Sequence, residues 1–423
     1  MLTVEQALER ILAEVPDPRG ESVPLASALG RVLAADLRST VDVPPWDNTA
    51  MDGYAVVAAD TGDGERVLEL LETVGAGQVA TQPVRPGTAT AVMTGAPMPD
   101  GADAVVMVED TDGARSGAVR VRGRAAPGAH VRRRGEDVRA GEIVLPVGTR
   151  LGPAAIGVAA STGHAVVTVS RRPVVAVLST GDEVVPVGEP LRPGQIWSSN
   201  NATLCAMVEE AGAVALDRGI APDDLDATVA ALRQAVAEAD VVVTTGGVSV
   251  GAYDVVKEAF AALGAGVDFW RVRMKPGKPL AFGRIPAAGG GGLAGRTVPL
   301  FGLPGNPVSC TVNFLQFVRP WLRRAMGDPR PFLPVIDAVA GDDFTDGPGR
   351  ARLIRVTLRR GDGGVLIASS AGSQSSGVLS AMARAHGLLL LGVDAPGPRR
   401  GAPVRVQIVE PGWADGAEPD FGW

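Results

Sequence analysis

The sequence contains very little cysteine and histidine. Its 423 residues include two cysteines, Cys205 and Cys310, and three histidines, His130, His164 and His386. Two cysteines so far apart argue against a disulfide scaffold and a cysteine-rich metal site, and we expect both to be buried free thiols. The histidines are isolated in the sequence, so a zinc site built from imidazoles is not expected either.

The chain also lacks a long apolar run, a cationic leader and an excess of basic residues. Its longest apolar stretches are short, such as residues 388–391, far below the roughly 18 residues that a membrane span needs. The net charge is -7. These features predict a soluble cytoplasmic protein that binds neither membrane nor nucleic acid. No Walker A motif occurs, which excludes ATP binding through a P-loop.

Hydrophobic residues make up 46% of the chain, and their spacing changes along it. Residues 3–15 have the spacing of an amphipathic helix, with Thr3 and Gln6 as a capping box. Over 40–170, short apolar runs between glycine, proline and aspartate predict a β-rich region. After residue 329 short strands return, which predicts a small β-barrel or sandwich.

Between about residues 172 and 325, strand-like runs such as 241–245 alternate with helical segments. Ser199 is expected to cap one helix, and Asp223 or Asp224 to start another. This alternation predicts a mostly parallel sheet with helices on both faces. Ligands bind beyond the carboxyl ends of the strands in such sheets.

Glycine-rich turns with polar groups follow three of the predicted strands, at 179–183, 244–251 and 303–309. Glycine lets the backbone approach a ligand closely, and its N–H groups can hold phosphate. An ordinary tight turn is the alternative at each place. The candidate substrate-binding residues here are Thr180, Gly181, Asp182, Gly246, Gly247, Ser249, Pro304, Asn306, Pro307 and Ser309.

Charged groups accompany these turns. Asp254 follows the second turn and, with Glu183 or Asp182, could hold Mg²⁺, which prefers one or two carboxylates plus phosphate oxygens. Lys275 and Lys278 flank a Pro-Gly turn that would fix two ammonium groups, as capture of a small oxyanion requires. A solvated hairpin turn is the alternative for the lysines.

Two other segments are unusual. Segment 44–55, PPWDNTAMDGYA, is poor in helix and strand formers yet contains Trp, Met and Tyr, which is typical of a shaped, ordered loop. Segment 132–137, RRRGED, is either a solvated turn or a self-neutralising binding loop.

Two short motifs match known patterns less well. Residues 247–251 match G-x-S-x-G, so a serine hydrolase with Ser249 as nucleophile is an alternative, although only His386 follows it. Residues 290–295 match G-x-G-x-x-G, but a strand follows where a helix should begin. A hairpin loop is the better interpretation of that segment.

In their order along the chain, these segments resemble the MoeA family of molybdopterin molybdenumtransferases, which includes the gephyrin E region. The resemblance covers roughly residues 3–410, with mild departures such as Thr49 in place of serine. The motifs that carry it are DNTAMDGYA at 47–55, MTGAPMP at 93–99, RRRGEDV at 132–138, STGDE at 179–183, TTGGVSVGAYD at 244–254, MKPGKP at 274–279 and GLPGNPVS at 302–309.

The resemblance implies a multidomain α/β plus β fold in an elongated protomer. The implied parts are an extended N-terminal domain (1–43 and 140–171), a β-rich inserted domain (44–139), a doubly wound α/β pterin-binding domain (172–328), a C-terminal β-barrel (329–412) and a tail (413–423). It also implies a homodimer in which the 47–55 and 132–138 loops complete the partner's site.

The activity implied by the resemblance is insertion of molybdate into adenylylated molybdopterin with release of AMP and with Mg²⁺ as cofactor. It implies catalytic roles for Asp52, Asp137, Lys275 and Lys278, and substrate binding by Thr94. Glu183 and Asp254 would hold the metal. Molybdate would contact Lys275, Lys278, Arg350 and Ser376. The upstream adenylyltransferase and apo-molybdoenzymes would be partners.

Two related alternatives stay open at this point. An adenylyltransferase of the same pathway resembles the α/β region alone, so the N-terminal region and the barrel argue against it. A non-catalytic scaffold, as gephyrin is, would carry an extra domain and linker that this sequence does not resemble. The preference for molybdate or tungstate is not encoded in any motif.

Overall fold

The computed structural model describes residues 1–247, 255–287, 297–345 and 347–414. The chain forms two compact units, one of residues 20–169 and one of residues 1–19 with 170 onward. In the described ranges no helix combines the length and apolar character that crossing a membrane needs. Ser249, Asp254 and the 290–295 motif lie outside the described residues. The predicted four-domain boundaries stay a prediction.

Helix α1 (Val4–Leu12) begins with the predicted capping box. The Gln6 N–H donates to Thr3 Oγ1 at 3.2 Å, and the Thr3 N–H donates to Gln6 Oε1 at 3.0 Å. The buried residues Ala7 and Ile11 join the core of the α/β region described below. The first 19 residues therefore belong to the larger unit.

The unit of residues 20–169 is rich in β-structure, as predicted. Its central sheet has the strand order β7-β4-β6-β5-β9-β8, and β1–β12, β2–β11 and β3–β10 form separate pairs. The elements are β1 (Gly20–Pro24), β2 (Leu37–Arg38), β3 (Asn48–Thr49), β4 (Gly53–Val56), β5 (Glu65–Val74), β6 (Thr88–Val92), β7 (Ala104–Met107), β8 (Thr111–Arg115), β9 (Ala118–Arg122), β10 (Val131–Arg132), β11 (Ile143–Leu145), α2 (Pro153–Ser161) and β12 (Val166–Ser170).

The other unit contains a six-stranded sheet of order β16-β13-β17-β21-β20-β18. Strands β16, β13, β17 and β21 are parallel, as predicted, whereas β20 is antiparallel to both of its neighbours, β21 and β18. The elements are β13 (Val174–Thr180), β14 (Val184–Val185), β15 (Ile196–Trp197), α3 (Ser199–Glu210), β16 (Val214–Ala221), α4 (Leu225–Glu238), β17 (Val241–Thr245), α5 (Val255–Ala262), β18 (Gly266–Arg271), β19 (Met274–Lys275), β20 (Pro279–Pro286), β21 (Thr297–Leu303), α6 (Pro307–Asn313), a π-helical turn (Phe314–Val318) and α7 (Arg319–Ala325).

Helices cover both faces of this sheet, which is therefore doubly wound. Val175 and Val177 of β13 pack in one core with α3 and α6. Ala176 and Leu178 of the same strand pack in a second core with α4 and α5. A strand buried on both faces has a continuous apolar sequence, which is why this run was recognisable.

The two predicted helix caps have different outcomes. Asp224 caps α4, and its carboxylate accepts from the Ala227 N–H at 2.9 Å. Ser199 is the first residue of α3 and not its cap. Ser198 occupies the N-cap position, but its hydroxyl accepts no capping hydrogen bond from the helix.

The C-terminal region is a closed barrel and not a sandwich. Its strands follow the ring β23-β24-β22-β26-β25, and β25 pairs back with β23. Strand β19 adds to β23 in parallel, with Met274 opposite Ala351 and Lys275 opposite Arg352. The elements are β22 (Val335–Ala340), β23 (Ala351–Arg360), β24 (Leu366–Ser370), α8 (Leu379–Ala383), β25 (Gly387–Leu391) and β26 (Pro403–Ile408).

Candidate active site

The carboxyl ends of β13, β17 and β21 surround a cavity of about 650 Å³, called here the strand-end cavity. It lies where successive connections leave the sheet on opposite faces, the usual ligand position in this fold. Asp182 lines a neighbouring cavity instead. The predicted residues that the structure brings together in the strand-end cavity are Thr180, Gly181, Glu183, Gly246, Gly247, Pro304, Asn306 and Pro307.

Two adjacent glycines allow the turn after β17 to pass close to β13. Gly246 has a φ of 92°, and a Cβ there would lie 2.6 Å from the Thr180 carbonyl oxygen. Gly247 has a φ of 61°, and a Cβ there would lie 2.2 Å from Val256 Cγ2. The Gly246 N–H donates to the Leu303 carbonyl at 3.2 Å, so it joins two strand ends and is not available to hold phosphate.

Asn200 of α3 connects two of the strand ends and was missed by sequence reasoning. Its Nδ2 donates to Thr245 Oγ1 at 2.9 Å and to the Gly305 carbonyl at 2.8 Å. The hydroxyls of Thr180 and Ser198 are buried at the cavity and have no hydrogen-bond partner among the described residues. Buried hydroxyls normally find partners, so these two are suited to a polar ligand.

Carboxylates gather at one side of the strand-end cavity. Asp182 Oδ1 accepts from the Asp223 N–H at 3.0 Å. Burial raises the pKa of Asp223 above its ordinary value, and the charges of Asp182 and Glu183 raise it further. Glu183 folds back over Gly181, where a Cβ would lie 2.5 Å from Glu183 Oε2.

These carboxylates fit magnesium only with help from a ligand. Within the described ranges, no group of three or more histidine, cysteine or acidic residues could hold a metal ion by itself. Mg²⁺ is usually held by one or two carboxylates together with substrate phosphate oxygens, and Glu183 provides one such group at the cavity.

A second cavity of about 530 Å³, called here the lysine cavity, is lined by three cationic side chains: Lys275, Lys278 and Arg350. Ser309 and Ser376 also line it, together with other residues of the described ranges that carry no negative charge. All four residues expected to contact molybdate are thus brought together. Because Pro279 lines both cavities, the lysine cavity adjoins the strand-end cavity.

Three regions of sequence hold the lysine turn in place. Asn313 Nδ2 donates to the carbonyls of Gly277 at 3.1 Å and Ser309 at 2.8 Å. The Arg273 N–H donates to the Leu2 carbonyl at 2.8 Å, and β19 pairs with β23 of the barrel. A Cβ on Gly277 would lie 2.4 Å from Asn313 Nδ2, so this turn requires glycine.

Arg355 supports the barrel side of the lysine cavity and was also missed. It is fully buried, and its Nη2 donates to the carbonyls of Ser373 at 2.7 Å and Ser375 at 3.1 Å. Burial lowers the pKa of its guanidinium. A charged residue inside the apolar run of β23 was the sequence signal that could have identified it.

Within the smaller unit, three of the motif segments converge into what we call the loop cluster (47–55, 93–99 and 132–138). Strand β3 pairs with β10, with Thr49 opposite Val131. Asp47 accepts from Arg133 Nη1 at 2.7 Å and from the Arg134 N–H at 2.8 Å. These bonds lower the pKa of Asp47. Arg134 also pairs with Asp42, so these two arginines are neutralised by carboxylates outside the 132–137 segment, and a binding role of the segment stays a prediction.

The predicted residues Asp52 and Thr94 touch in this cluster. Asp52 Oδ1 accepts from the Thr94 N–H at 2.6 Å and from its hydroxyl at 2.7 Å, which lowers the Asp52 pKa. Asp137 is exposed, and its N–H donates to the Val43 carbonyl at 3.0 Å.

Family models match most of the chain in sequence order. Residues 2–163 match the MoeA N-terminal region (domain I and II), residues 176–324 the probable molybdopterin binding domain, and residues 337–409 the MoeA C-terminal region (domain IV). The chain belongs to the MoeA family. The resemblance inferred from the seven motifs is therefore confirmed.

Relatives and a solved structure agree with this MoeA assignment. Molybdopterin molybdenumtransferase 2 of Mycobacterium tuberculosis is 41% identical, over 91% of this chain and 94% of its own length. The molybdopterin molybdenumtransferase of Bacillus subtilis is 33% identical, over 96% and 94%. The molybdopterin biosynthesis MoeA protein of Pyrococcus horikoshii has a TM-score of 0.80 at 30% identity, covering 96% of this chain and 100% of that one.

The alternatives are not favoured by this MoeA membership. An adenylyltransferase-like or scaffold role would leave the matches of the N-terminal region and barrel to named transferases unexplained. For a serine hydrolase, the only histidine after residue 251 is His386, whose Nδ1 accepts from the Leu358 N–H at 2.9 Å within the barrel. That ring also stacks on Trp413.

Proposed function

We propose that this protein inserts molybdenum from molybdate into adenylylated molybdopterin in the cytoplasm and releases AMP. The observation that carries the proposal is the pair of adjoining cavities. One is lined by glycine turns, hydroxyls and two carboxylates, and the other by three cations. The first suits a phosphorylated heterocycle, and the second suits a small dianion.

In the strand-end cavity the protein mainly positions the substrate. The glycine turns let the backbone come within contact distance of a pyrophosphate, and the buried hydroxyls of Thr180 and Ser198 offer hydrogen bonds. Asn200 fixes the ends of β17 and β21 relative to each other. Such a rigid arrangement converts binding energy into alignment of the reacting groups.

In the lysine cavity the protein supplies positive charge. Lys275, Lys278 and Arg350 would attract molybdate and neutralise it beside the bound pterin. Ser309 and Ser376 add hydroxyl groups. The dithiolene sulfurs of the substrate are the nucleophiles toward molybdenum, so the protein needs none of its own.

A bound Mg²⁺ would neutralise the pyrophosphate and assist departure of AMP. We assign Glu183 and Asp254 as its ligands, with Asp182 close to the first of them. Glu183 is at the cavity and bends toward the Gly181 turn, where a phosphate would lie. The remaining coordination positions would belong to phosphate and water.

The loop cluster would act in a homodimer, where Asp52, Thr94 and Asp137 of one copy complete the site of its partner. An ordered polar surface, held by the Arg133–Asp47 ion pair and by the bonds of Thr94 to Asp52, supports this arrangement. Substrate would arrive from the upstream adenylyltransferase, and the product would pass to apo-molybdoenzymes.

The test is an in vitro insertion assay with adenylylated molybdopterin, Mg²⁺ and varied molybdate, followed by AMP release and reconstitution of an apo-molybdoenzyme. Because each cation neutralises part of a dianion in a partly enclosed site, Lys278→Ala and Arg350→Ala should each raise the half-saturating molybdate concentration about ten-fold or more. Arg360→Ala, an exposed cation at the far end of β23, is the matched control and should change nothing.

Molybdate-dependent AMP release by the wild type is the basic requirement of the proposal. Its absence in a folded protein with intact substrate would refute the insertion activity. Release that occurs with unchanged molybdate dependence in both variants would instead remove the lysine cavity from the mechanism.

A further inference from the structure

The segment between β13 and α3, in which β14 and β15 pair in parallel, places an apolar edge on the rim of the strand-end cavity. Val184 pairs with Ile196, and Val185 pairs with Trp197. The Ile196 N–H donates to the Glu183 carbonyl at 2.8 Å, and the Ser198 N–H donates to the Val185 carbonyl at 2.9 Å. These bonds fix the positions of Ile196 and Trp197, which both line the cavity.

Both side chains have large exposed fractions. Ile196 is 55% exposed and Trp197 48%, in a chain with only 4% aromatic residues. A large apolar side chain left in water forgoes the free energy of burial, so a ligand ring that covers these side chains at the cavity would gain that free energy.

The polar edge of the indole is already occupied. Trp197 Nε1 donates to the Glu189 carbonyl at 2.8 Å within the same segment. This bond fixes the orientation of the ring and leaves its faces as the surface for further contact. An aromatic face interacts best with another flat ring.

The rest of the cavity matches a ligand that has a flat part and a polar part. Trp197 and Ile196 provide the apolar edge. The buried hydroxyls of Thr180 and Ser198 and the glycine turns provide polar groups for phosphate and ring substituents. A mononucleotide or a pterin phosphate has both features.

We propose that Trp197 is the stacking surface for a planar heteroaromatic ring of the substrate. This inference rests on the proposed function, whose substrate contains both a purine ring and a pterin ring. Either ring satisfies the chemistry, so the experiment distinguishes them. Trp197 positions the ring and takes no part in the transfer itself.

Binding is measured by calorimetry without molybdate, with AMP for the purine and neopterin for the pterin. Trp197→Ala should weaken binding of the ring that stacks by about ten-fold, the usual size of aromatic stacking on a base. Trp197→Phe should keep most of the affinity. Trp197→Leu keeps an apolar side chain without an aromatic face and should lose the affinity. In the insertion assay Trp197→Ala should raise KM for the pterin substrate and leave kcat nearly unchanged.

Val187→Ala is the matched control. Val187 is 70% exposed on the same segment, but it lines the neighbouring cavity, which Asp182 also lines. Its affinity for both ligands should equal that of the wild type. Unchanged binding in Trp197→Ala, or no binding of either ligand by the wild type, overturns the proposal. The proposal is also overturned if Trp197→Ala changes the oligomeric state on size-exclusion chromatography, because Trp197 would then be an interface residue.

The two proposals fail separately. A protein that lacks insertion activity but loses AMP or neopterin affinity on Trp197→Ala keeps the stacking surface and loses the proposed function. If the wild type has insertion activity and the Trp197→Ala variant has a normal KM, the proposed function is kept and the stacking surface is lost.

Discussion

The strand-end cavity and the loop cluster are both ordered polar surfaces, but different forces hold them. In the cavity, glycine turns pack against backbone and buried groups, and Asn200 joins strand ends from within. In the cluster, exposed carboxylates accept from arginines and backbone N–H groups. Packing geometry therefore dictates the first surface, and screened charge dictates the second.

The largest effect should come from a single methyl group at the cavity. Gly246→Ala would place Cβ 2.6 Å from the Thr180 carbonyl at a φ of 92°, so we expect about 3 kcal/mol or more of destabilisation. Insertion activity should fall by about 100-fold, because the turn cannot keep its place. Thermal unfolding and the insertion assay measure the two effects.

Gly188→Ala is the matched control for the steric effect. Its φ is 95°, close to that of Gly246, but a Cβ there meets nothing within 4 Å. We expect only the backbone penalty of about 1 kcal/mol and normal activity. Equal losses in the two variants would contradict the claim that close packing shapes the cavity.

An intermediate effect should appear as opposite pH dependence in the two regions. The pKa of Asp47 is lowered by the Arg134 N–H and the Arg133 guanidinium, so its contribution to stability is present above the ordinary pKa and is lost as pH falls through the lowered value. The pKa of Asp223 is raised by burial, so its contribution is present below the ordinary pKa and is lost as pH rises through the raised value.

The corresponding variants should therefore change stability in opposite directions at pH 7. Asp47→Asn should destabilise by about 0.5 kcal/mol, less in high salt, because its partners are exposed. Asp223→Asn should stabilise by less than about 1 kcal/mol. Denaturant unfolding at pH 7 and pH 3 measures both, and differences from the wild type should shrink at the lower pH. Parallel shifts would show that the two regions are not held differently.

The smallest effect concerns the helix beneath the cavity. Burial raises the pKa of the Cys310 thiol to about 12 and that of the half-buried Cys205 to about 11. At pH 8 Cys205 should react slowly with a disulfide reagent, and Cys310 of α6 about ten-fold more slowly still. Cys205→Ser isolates the Cys310 signal. Rapid modification of Cys310 in the folded protein would show that the cavity floor opens.

Local patterns predicted much of this molecule. The Thr3 and Gln6 capping box, the continuous apolar run of β13 and the glycine turns depend on neighbours in sequence, and each is where it was expected. The turn residues and the two lysines were candidates because of their places beside predicted strands, with an ordinary turn as the alternative, whereas Arg350 came from the family resemblance.

The missed features depend on contacts between distant segments. Asn200, Asn313 and Arg355 each bond to carbonyls that belong to other parts of the chain, which no local pattern encodes. Strand β20 escaped prediction because prolines stand at both its ends and Gly283 interrupts it. The meeting of Lys275 and Arg350 in one cavity follows from the pairing of β19 with β23, and pairing partners are not readable from either strand alone.

That pairing also shows how a second substrate site can be acquired by a modular protein. An α/β sheet alone would present the strand-end cavity with only the lysine turn beside it. Arg350, Gln374, Ser375 and Ser376 come from the barrel region, and the Leu2 carbonyl holds the other side of the turn. Fusion of a domain and capture of the N-terminal residues would thus convert a one-ligand domain into a two-ligand one, with its original sheet left intact.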